Sequence, residues 1–283
     1  MNMEYFWWIV IVIVLIAVFL YLENTLLSTS NYQIHSNKIP QEFDGLNIVL
    51  LSDIHNTKNN VLKNNIIKYL KKQNPDCIMI AGDLFDSRRT NVQVALDFSK
   101  QLTAIAPVYF VTGNHEGRKP QHLKQLEEGL KELSVTILHD ECFKLLKNDY
   151  HINLIGMDDP RVFGYDTSYE ECRNFIFDKL VNLVDRDSFN LLLIHRPELF
   201  DVYVKAGCEL ILTGHAHGGQ IRLPFIGGLF APGQGVFPKL TSGLYQKEAS
   251  QMIVSRGIGN SNFPFRVFNH PEIISIELKK DRT

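Results

Sequence analysis

The 283-residue sequence is poor in cysteine and has no marked excess of charge of either sign. Its four cysteines, Cys77, Cys142, Cys172 and Cys208, are widely spaced and form no C-x-x-C pair, which argues against a disulfide framework and a zinc ribbon. Twenty-nine Lys and Arg residues against 31 Asp and Glu residues leave a formal charge of −2. The chain therefore lacks the strong basic field that attracts nucleic acid, and no nucleic-acid partner is expected.

Basic residues are also missing from the N-terminal segment, where no Lys or Arg occurs before Lys38. Residues 5–22, YFWWIVIVIVLIAVFLYL, carry no charge, and as a helix they would be about 27 Å long, close to the ~30 Å hydrocarbon core of a bilayer. A cleaved signal peptide is the weaker interpretation, because no basic residue precedes the run and no A-x-A site follows it. We predict a single-pass membrane anchor in residues 1–23, with the side of the membrane left open.

The rest of the chain divides into a short polar segment and one long domain. Residues 24–44 are predicted to be a juxtamembrane linker, and residues 45–283 the folded domain. In its first half, apolar runs of strand length alternate with amphipathic stretches such as NNVLKNNIIKYLKKQ, which indicates an α/β fold with a substantially parallel sheet. In its second half, TILHD, CFKLLKN and HINLIGMDD suggest hairpin strands, so two sheets in one layered domain are expected.

Five apolar runs of this domain end in side chains that can bind metals. In α/β sheets the crevice beyond the carboxyl ends of the strands is where ligands bind, so these side chains can converge without being neighbours in sequence. They are Asp53 and His55, Asp83, Asn114 and His115, His195, and His215 and His217.

The chemistry of these residues favours a metal centre. Carboxylate and amide oxygens combined with neutral imidazoles, without a thiolate, suit Mn²⁺, Fe or Zn²⁺. One ion would leave several of these groups buried and unpaired, whereas two ions ~3.5–4 Å apart with a shared carboxylate would use them all. Each residue taken alone has a structural alternative, since Asp83 could cap a helix and His195 could be a core histidine. Their joint occurrence at five strand ends favours a dinuclear site.

The ordered blocks D-x-H, G-D, G-N-H-E, H and G-H-x-H resemble the calcineurin-like metallophosphoesterase superfamily over roughly residues 47–278. The stretches GGQIRLPFIGGLFAPGQGVFPKLTSGLY and SRGIGNSNFPFRVFNHPEI resemble its membrane-associated bacterial branch of the YkuE and YaeI type. The resemblance implies a four-layer α-β-β-α sandwich of two mixed sheets, with the metal site at the carboxyl ends of the strands. Ala216 stands where relatives often have Thr, a position whose side chain is not a ligand in the family.

The resemblance also implies a role for each site residue. Two divalent metal ions are expected, with Mn²⁺ preferred and Zn²⁺, Fe or Mg²⁺ as alternatives. His115 would contact the phosphate and either protonate the leaving oxygen or stabilise charge on it. The implied ligands are Asp53, His55 and His217 for one ion, Asn114, His195 and His215 for the other, and Asp83 for both.

The expected function is a membrane-anchored phosphoesterase that hydrolyses a phosphomonoester, phosphodiester or pyrophosphate bond by in-line attack of a metal-bridging hydroxide. Its substrate would be a phosphorylated small molecule or a lipid. One alternative is a lipid-linked pyrophosphatase of the UDP-2,3-diacylglucosamine hydrolase type, and a lesser one is a non-catalytic binding protein on the same fold. A DNA-repair nuclease is disfavoured by the anchor and by the lack of a basic face.

Several further residues remain open to a functional or a structural interpretation. Arg222 and Arg266 could clamp a phosphate through two hydrogen bonds each, or could form salt bridges. The Gly- and Pro-rich apolar loop 225–238 could touch acyl chains or the bilayer, or could simply cover the site. The candidates for contacts to the ligands or to the substrate are Asn56, Glu116, Asp158, Asp159, Arg161 and Arg196.

Overall fold

The computed structural model describes residues 3–164, 169–260 and 263–281, which contain seven α-helices and sixteen strands. The helices are α1 (Met3–Glu23), α2 (Asn60–Gln73), α3 (Val92–Thr103), α4 (Asn114–Gly117), α5 (Pro120–Glu132), α6 (Tyr169–Leu180) and α7 (Phe200–Ala206). The strands are β1 (Ser28–Ser36), β2 (Asn47–Leu51), β3 (Cys77–Ala81), β4 (Val108–Val111), β5 (Thr136–Ile137), β6 (Glu141–Lys147), β7 (Tyr150–Gly156), β8 (Asn190–Leu193), β9 (Leu210–Thr213), β10 (Arg222–Leu223), β11 (Gly227–Gly228), β12 (Phe230–Ala231), β13 (Gly235–Val236), β14 (Gly243–Lys247), β15 (Ser250–Val254) and β16 (Glu272–Lys280).

Two six-stranded sheets form the centre of the domain. The first has the order β1-β16-β2-β3-β4-β5, and all its neighbours are parallel except β16 and β2. The second has the order β14-β15-β9-β8-β7-β6, with parallel pairs in the middle and an antiparallel pair at each edge. Both sheets are therefore mixed, as predicted.

Alternation of side chains along the strands explains how the sheets stack. In β2, Ile48 and Leu50 lie in a core shared by the two sheets, while Val49 and Leu51 lie in a core covered by α2, α3 and α5. A third core packs α6 and α7 on the outer face of the second sheet. Each buried strand contributes side chains to one core on either face of its sheet. The layers are therefore helices, first sheet, second sheet and helices, and the predicted α-β-β-α sandwich is confirmed.

Two segments differ from the sequence-based expectation. Residues 24–44, predicted as a linker, contain β1, which pairs in parallel with β16 from Ser28 opposite Glu272 to Ser36 opposite Lys280. The strand is polar because it lies at the sheet edge and buries only Ile34 fully, so its composition resembles that of a linker. The run TILHD, expected in a hairpin, instead adds β5 to the first sheet, parallel to β4.

Helix α1 stands apart from the three cores. It has 21 residues, and its most apolar 18-residue window has a mean hydropathy of 2.7 and is not buried in the protein. Only its last residue, Glu23, is buried. The helix has the length and composition needed to cross a membrane.

The pairing of β1 predicts that Ile34 contributes to domain stability. We expect Ile34→Ala to lower the free energy of unfolding by about 2–4 kcal/mol, because it removes a fully buried side chain from the core between the sheets. The exposed neighbour on the same strand, Thr29→Ala, should change it by less than about 0.5 kcal/mol. Chemical denaturation of the full chain in detergent measures both, and equal effects would contradict the placement of β1 in the core.

Candidate metal centre

All eight predicted site residues lie at the carboxyl ends of five parallel strands and are between 0 and 5% exposed. Strands β2, β3 and β4 belong to the first sheet, and β8 and β9 belong to the second. The site thus forms where the ends of both sheets meet, which agrees with the general location of ligand sites in α/β folds. The residues are Asp53 and His55 after β2, Asp83 after β3, Asn114 and His115 after β4, His195 after β8, and His215 and His217 after β9.

The first cluster consists of Asp53, His55 and His217, whose ligand atoms lie within 4.8 Å of one another. Nε2 of His217 is 3.3 Å from Oδ1 of Asp53 and 3.2 Å from Nε2 of His55. The His55 and His217 rings are stacked, with an interplanar angle of 12°. Two imidazole nitrogens and a carboxylate oxygen therefore point at one small volume.

The second cluster contains Asp83, His195 and His215, again with ligand atoms within 4.8 Å of one another. Nε2 of His195 lies 3.4 Å from Oδ2 of Asp83, 3.1 Å from Nδ1 of His215 and 3.2 Å from Oδ1 of Asn114. Nδ1 of His195 donates to the carbonyl oxygen of Ala81 at 2.7 Å, which directs Nε2 into the cluster. The predicted ligand Asn114 is therefore within reach of the same position.

Asp83 lies between the two clusters. Its Oδ2 is 3.4 Å from Nε2 of His195 and 3.7 Å from Nε2 of His55. Its Oδ1 accepts a hydrogen bond from the backbone N–H of His115 at 2.8 Å, which fixes the orientation of the carboxylate. One oxygen is thus held by the protein, and the other faces ligand atoms on both sides.

His115 forms a third cluster with His55 and Asp83. Its Nε2 is 4.0 Å from Oδ2 of Asp83, while its Nδ1 accepts a hydrogen bond from the backbone N–H of Ser87 at 2.9 Å. Asp86 also approaches Nδ1, at the longer distance of 3.4 Å. Because the shorter backbone contact needs the lone pair on Nδ1, we place the ring proton on Nε2, the nitrogen that faces the site.

Five of the eight residues have a left-handed backbone conformation. Their φ angles are 50° for Asp53, 49° for His55, 55° for Asp83, 64° for His215 and 48° for His217. This region is sparsely populated by residues other than glycine, and such strain costs of order 1–3 kcal/mol per residue unless the surroundings impose it. Its concentration at one site indicates that the fold holds these residues for function.

Backbone hydrogen bonds and close glycine contacts impose this geometry. The buried carboxylate of Glu116 accepts from the N–H groups of Asp83 at 2.9 Å, Gly113 at 2.8 Å and Phe85 at 3.2 Å. A side chain at Gly113 would collide with the Asp83 carboxylate, and one at Gly214 would lie 2.5 Å from Oδ2 of Asp53. Glu116 is therefore a support for the site rather than one of its ligand groups.

Burial keeps most of the imidazoles neutral. It lowers the pKa of His55 to about 3 and holds the pKa values of His215 and His217 well below the ordinary value. Burial also acts to lower the pKa of His195, but the carboxylate of Asp83 outweighs it and raises that pKa to about 10. Burial raises the pKa of Asp53 to about 6, since the nearby charge on His195 offsets it only in part. The neutral imidazoles of His55, His215 and His217 have the free lone pairs that metal binding requires.

These residues fit divalent metal ions. Asp53 and Asp83 are 0 and 1% exposed, and a buried carboxylate is costly unless a positive charge lies nearby. Facing imidazole nitrogens at 3.1–3.2 Å, together with oxygens from Asp and Asn, form a donor set suited to Mn²⁺, Fe or Zn²⁺.

The two arginines considered as phosphate clamps have structural partners. Arg266 is fully buried and donates to the carbonyl oxygens of Gly259 at 2.6 Å and Arg256 at 2.9 Å. Arg222 donates to the carbonyl oxygen of Gly218 at 2.8 Å and to the hydroxyl of Ser242 at 3.1 Å. Both guanidinium groups hold loops together, so the clamp interpretation is not supported for either.

The other polar candidates also support the structure around the site. Arg196 donates two hydrogen bonds to Asp159, at 2.7 and 3.0 Å, and Asp159 also accepts from the N–H of Arg161. Asp158 accepts from the Thr112 hydroxyl at 2.7 Å. Asn56 accepts from the N–H of Asp86 at 2.8 Å.

Sequence reasoning missed residues that hold the site from behind. Asp86 and Ser87 orient the ring of His115, and Asn269 donates to the carbonyl oxygen of His217 at 2.8 Å. Asp86 lies in the same GDLFD run as Asp83, so proximity offered a signal for it. Asn269 lies in a loop 52 residues further along the chain and contacts the backbone of His217. A loop asparagine has no sequence signature that predicts such a contact.

A four-layer sandwich with Asp, Asn and His side chains gathered at the carboxyl ends of both sheets defines a metal-dependent hydrolase. Residues 46–219 match the family model described as calcineurin-like phosphoesterase, and the chain belongs to this family. The family and the three clusters together indicate a dinuclear site for divalent metal ions. The protein is thus a phosphoester hydrolase, as the sequence predicts.

Known relatives agree with the predicted branch. The uncharacterized metallophosphoesterase YkuE of Bacillus subtilis is 30% identical over 92% of this chain and 88% of its own length. The phosphodiesterase YaeI of Escherichia coli is 28% identical over 82% of this chain and 81% of its own. A transmembrane protein with metallophosphoesterase domain from Danio rerio is 28% identical over 88% of this chain, which spans only 56% of that relative.

Among solved structures, the phosphopantetheinyl hydrolase PptH of Mycobacterium tuberculosis superposes with a TM-score of 0.50. The match covers 76% of this chain and 91% of that protein, at 11% sequence identity. At this identity the likeness extends to the fold alone, and it agrees with the two-sheet architecture described above.

The close contact between Gly113 and Asp83 predicts that position 113 must be glycine. We expect Gly113→Ala to displace the Asp83 carboxylate, because the added methyl group would lie 2.6 Å from the Asp83 backbone nitrogen, and to reduce bound metal well below the wild-type content. Gly45→Ala is the control, since it has φ +82° and no atom within 4 Å, so it should cost about 1–2 kcal/mol of stability but retain metal. Elemental analysis of both variants checks this, and full metal retention by Gly113→Ala would contradict it.

Proposed function

We propose that the protein is a membrane-anchored phosphoesterase that uses two divalent metal ions. The observation that carries the proposal is the position of Asp83, whose Oδ2 faces His195 at 3.4 Å and His55 at 3.7 Å. A carboxylate between two imidazole clusters suits a bridging ligand.

The clusters suggest which residue binds which ion. The three side chains of the first cluster would hold one ion and the remaining nitrogen and oxygen donors the other, with Mn²⁺ as the preferred metal and Zn²⁺, Fe or Mg²⁺ as alternatives. The proposed ligands are Asp53, His55 and His217 for the first ion, Asn114, His195 and His215 for the second, and Asp83 for both.

Divalent ions bound there would lower the pKa of water and neutralise charge on phosphoryl oxygens. Within the protein, Nε2 of His115 faces the site and its N–H could stabilise charge on the leaving oxygen by donating a hydrogen bond, while Nδ1 accepts from Ser87. To protonate the leaving oxygen instead, the ring would have to be an imidazolium, whose second proton on Nδ1 would face Asp86 at 3.4 Å. The cleaved bond would be that of a phosphomonoester, a phosphodiester or a pyrophosphate.

The N-terminal helix supports a single-pass anchor in residues 1–23. Helix α1 exposes a continuous apolar surface, including Trp7 and Trp8 near one end and Tyr21 near the other, where aromatic rings favour the membrane interface. Two relatives are named as transmembrane proteins with a metallophosphoesterase domain, which agrees with this proposal. The domain would therefore work at a membrane surface, beginning with β1 rather than at residue 45.

The proposal predicts the loss of activity when the bridging carboxylate is removed. The full chain in detergent, stripped of metal and reloaded with Mn²⁺, Zn²⁺ or Mg²⁺, should hydrolyse bis-p-nitrophenyl phosphate or p-nitrophenyl phosphate. Asp83→Asn should lower kcat/KM by about a thousandfold, since metal stabilisation of a phosphoryl transition state amounts to several kcal/mol. The control Asp97→Asn, on the exposed face of α3, should have no effect. Wild-type activity no higher than that of Asp83→Asn with every metal would contradict the enzyme proposal.

A second candidate, the lipid-linked pyrophosphatase, is favoured by a cavity of about 340 Å³ beside His217. The cavity is lined mainly by apolar groups, among them Ile221, Leu229, Phe230 and Phe263. A separate cavity of about 330 Å³ adjoins His55 and is lined by polar and basic groups. The basic groups of this second cavity are Lys58 and Arg89. A substrate with a hydrocarbon chain would fit the apolar cavity, and its anionic group would fit the basic one.

Exposed phenylalanines that suit a bilayer lie in this region. Phe230, 51% exposed, lines the apolar cavity, while the fully exposed Phe225 and the 55% exposed Phe268 line a separate pocket. The ring of Phe268 lies 5.4 Å from that of Phe19 in α1, so that second pocket borders the proposed anchor. A lipid substrate could then reach the site from the membrane that holds the protein.

The lipid proposal predicts a substrate-dependent effect of Phe230→Asp. We expect kcat/KM for a nucleotide–lipid pyrophosphate in mixed micelles to fall at least about tenfold, since the lost apolar contact is worth about 1.4 kcal/mol or more. Activity on p-nitrophenyl phosphate should stay constant. Leu146→Asp, a 73% exposed position on the edge strand β6, is the control. Equal kcat/KM values of the two variants on the lipid substrate would count against the lipid proposal.

A further inference from the structure

The last residue of the apolar helix is built into the catalytic domain. Glu23 is 6% exposed, although most of α1 is exposed. Its Oε2 accepts a hydrogen bond from the backbone N–H of Asn269 at 2.9 Å, and its Oε1 lies 3.1 Å from Nε2 of His270. Burying a carboxylate at this position costs solvation free energy. If residue 23 served only to attach the helix to the domain, an apolar side chain would be more stable there.

Asn269 connects this carboxylate to the first cluster. It is fully buried, and its Nδ2 donates to the carbonyl oxygens of His217 at 2.8 Å and Gln220 at 3.0 Å. The intervening Gly218 lies so close that an added side chain would collide with Oδ1 of Asn269. The turn that presents His217, with its left-handed φ of 48°, is therefore clamped by Asn269.

Asn24, the next residue after the helix, reaches the same cluster by a separate route. Its Oδ1 accepts from Nδ2 of Asn260 at 2.7 Å and from the backbone N–H of Arg266 at 3.2 Å. The guanidinium of Arg266 donates to the carbonyl oxygen of Gly259 at 2.6 Å, and the N–H of Gly259 donates to the carbonyl oxygen of Asp53 at 2.7 Å. The backbone of both Asp53 and His217 is thus supported from the end of α1.

We propose that Glu23 is a positioning residue for the metal site formed by Asp53, His55 and His217, acting through Asn269. The inference rests on the proposed function, since it requires that these three side chains bind a metal ion. The hydrogen bonds of Glu23 and Asn269 described above reach the first cluster directly, through the carbonyl oxygen of His217. The second cluster is connected to that end of the helix only indirectly, through the N–H of His215, which donates to the Asp53 carboxylate at 3.1 Å. The larger effect of Glu23 is therefore expected at the first metal position.

The test measures metal affinity in the full chain held in detergent micelles. Wild type should bind two Mn²⁺ ions by titration calorimetry. We expect Glu23→Ala to weaken one of them about tenfold and the other less, as is typical when support behind a metal ligand is lost. Glu23→Gln, which keeps an oxygen that can accept from the Asn269 N–H, should restore most of the affinity.

The matched control is Glu4→Ala, the same chemical change at the opposite end of the same helix. Activity of Glu23→Ala should recover when Mn²⁺ is raised to saturation, which a general loss of folding would not show. Asn269→Ala combined with Glu23→Ala should be no weaker in metal binding than Asn269→Ala alone, because both act on one contact.

The outcomes separate the two proposals. If wild type binds no metal, the proposed function fails. If wild type binds two ions and Glu23→Ala binds both with unchanged affinity, only the role of Glu23 is refuted. Additive losses in the double variant would likewise overturn the path through Asn269, and so would an equal weakening of both ions.

Discussion

The carboxylate of Asp83 is the point on which the site depends. It follows a strand of the first sheet, yet its free oxygen lies 3.4 Å from His195, which follows a strand of the second sheet. The contact lies where the carboxyl ends of strands from the two sheets meet, and each sheet has its own ladder of hydrogen bonds. His195 is also hydrogen-bonded to the carbonyl oxygen of Ala81 in β3, so a bond between the sheets supports the contact as well as their packing. The core shared by the sheets is therefore part of the machinery that sets this distance.

The local backbone is adapted to the same contact. Asp83 has a left-handed φ of 55°, and its N–H and Oδ1 are held by Glu116 and by the N–H of His115. Glu116 is fully buried, and burial raises its pKa to about 7. Three backbone N–H groups that donate to this carboxylate help to keep it charged. The strained backbone at Asp83 is thus held by buried hydrogen bonds to Glu116 and His115.

The sequence was sufficient for those parts of the site that follow from local pattern. A buried strand ending in Asp, Asn or His can be recognised by its own residues, and all eight side chains predicted in this way lie together in the structure, although their roles as ligands stay predictions. Pairing across long sequence distances was not recoverable. Strand β1 pairs with β16 some 240 residues away, and its polar edge pattern is indistinguishable from that of a linker. Asn269 escaped for a similar reason, since its contact is to a carbonyl oxygen that any residue would offer.

The site residues differ in what holds them. Asp53, Asp83, Asn114 and His195 come shortly after the ends of β2, β3, β4 and β8, so the sheets set their positions. His217 lies in a 3-10 turn beyond β9, and a loop of the C-terminal region supports that turn from outside. The same loop contacts the end of α1 and carries the exposed ring of Phe268. The turn that carries His217 is thus held by the region that also contacts the end of α1, and His217 lines the apolar cavity.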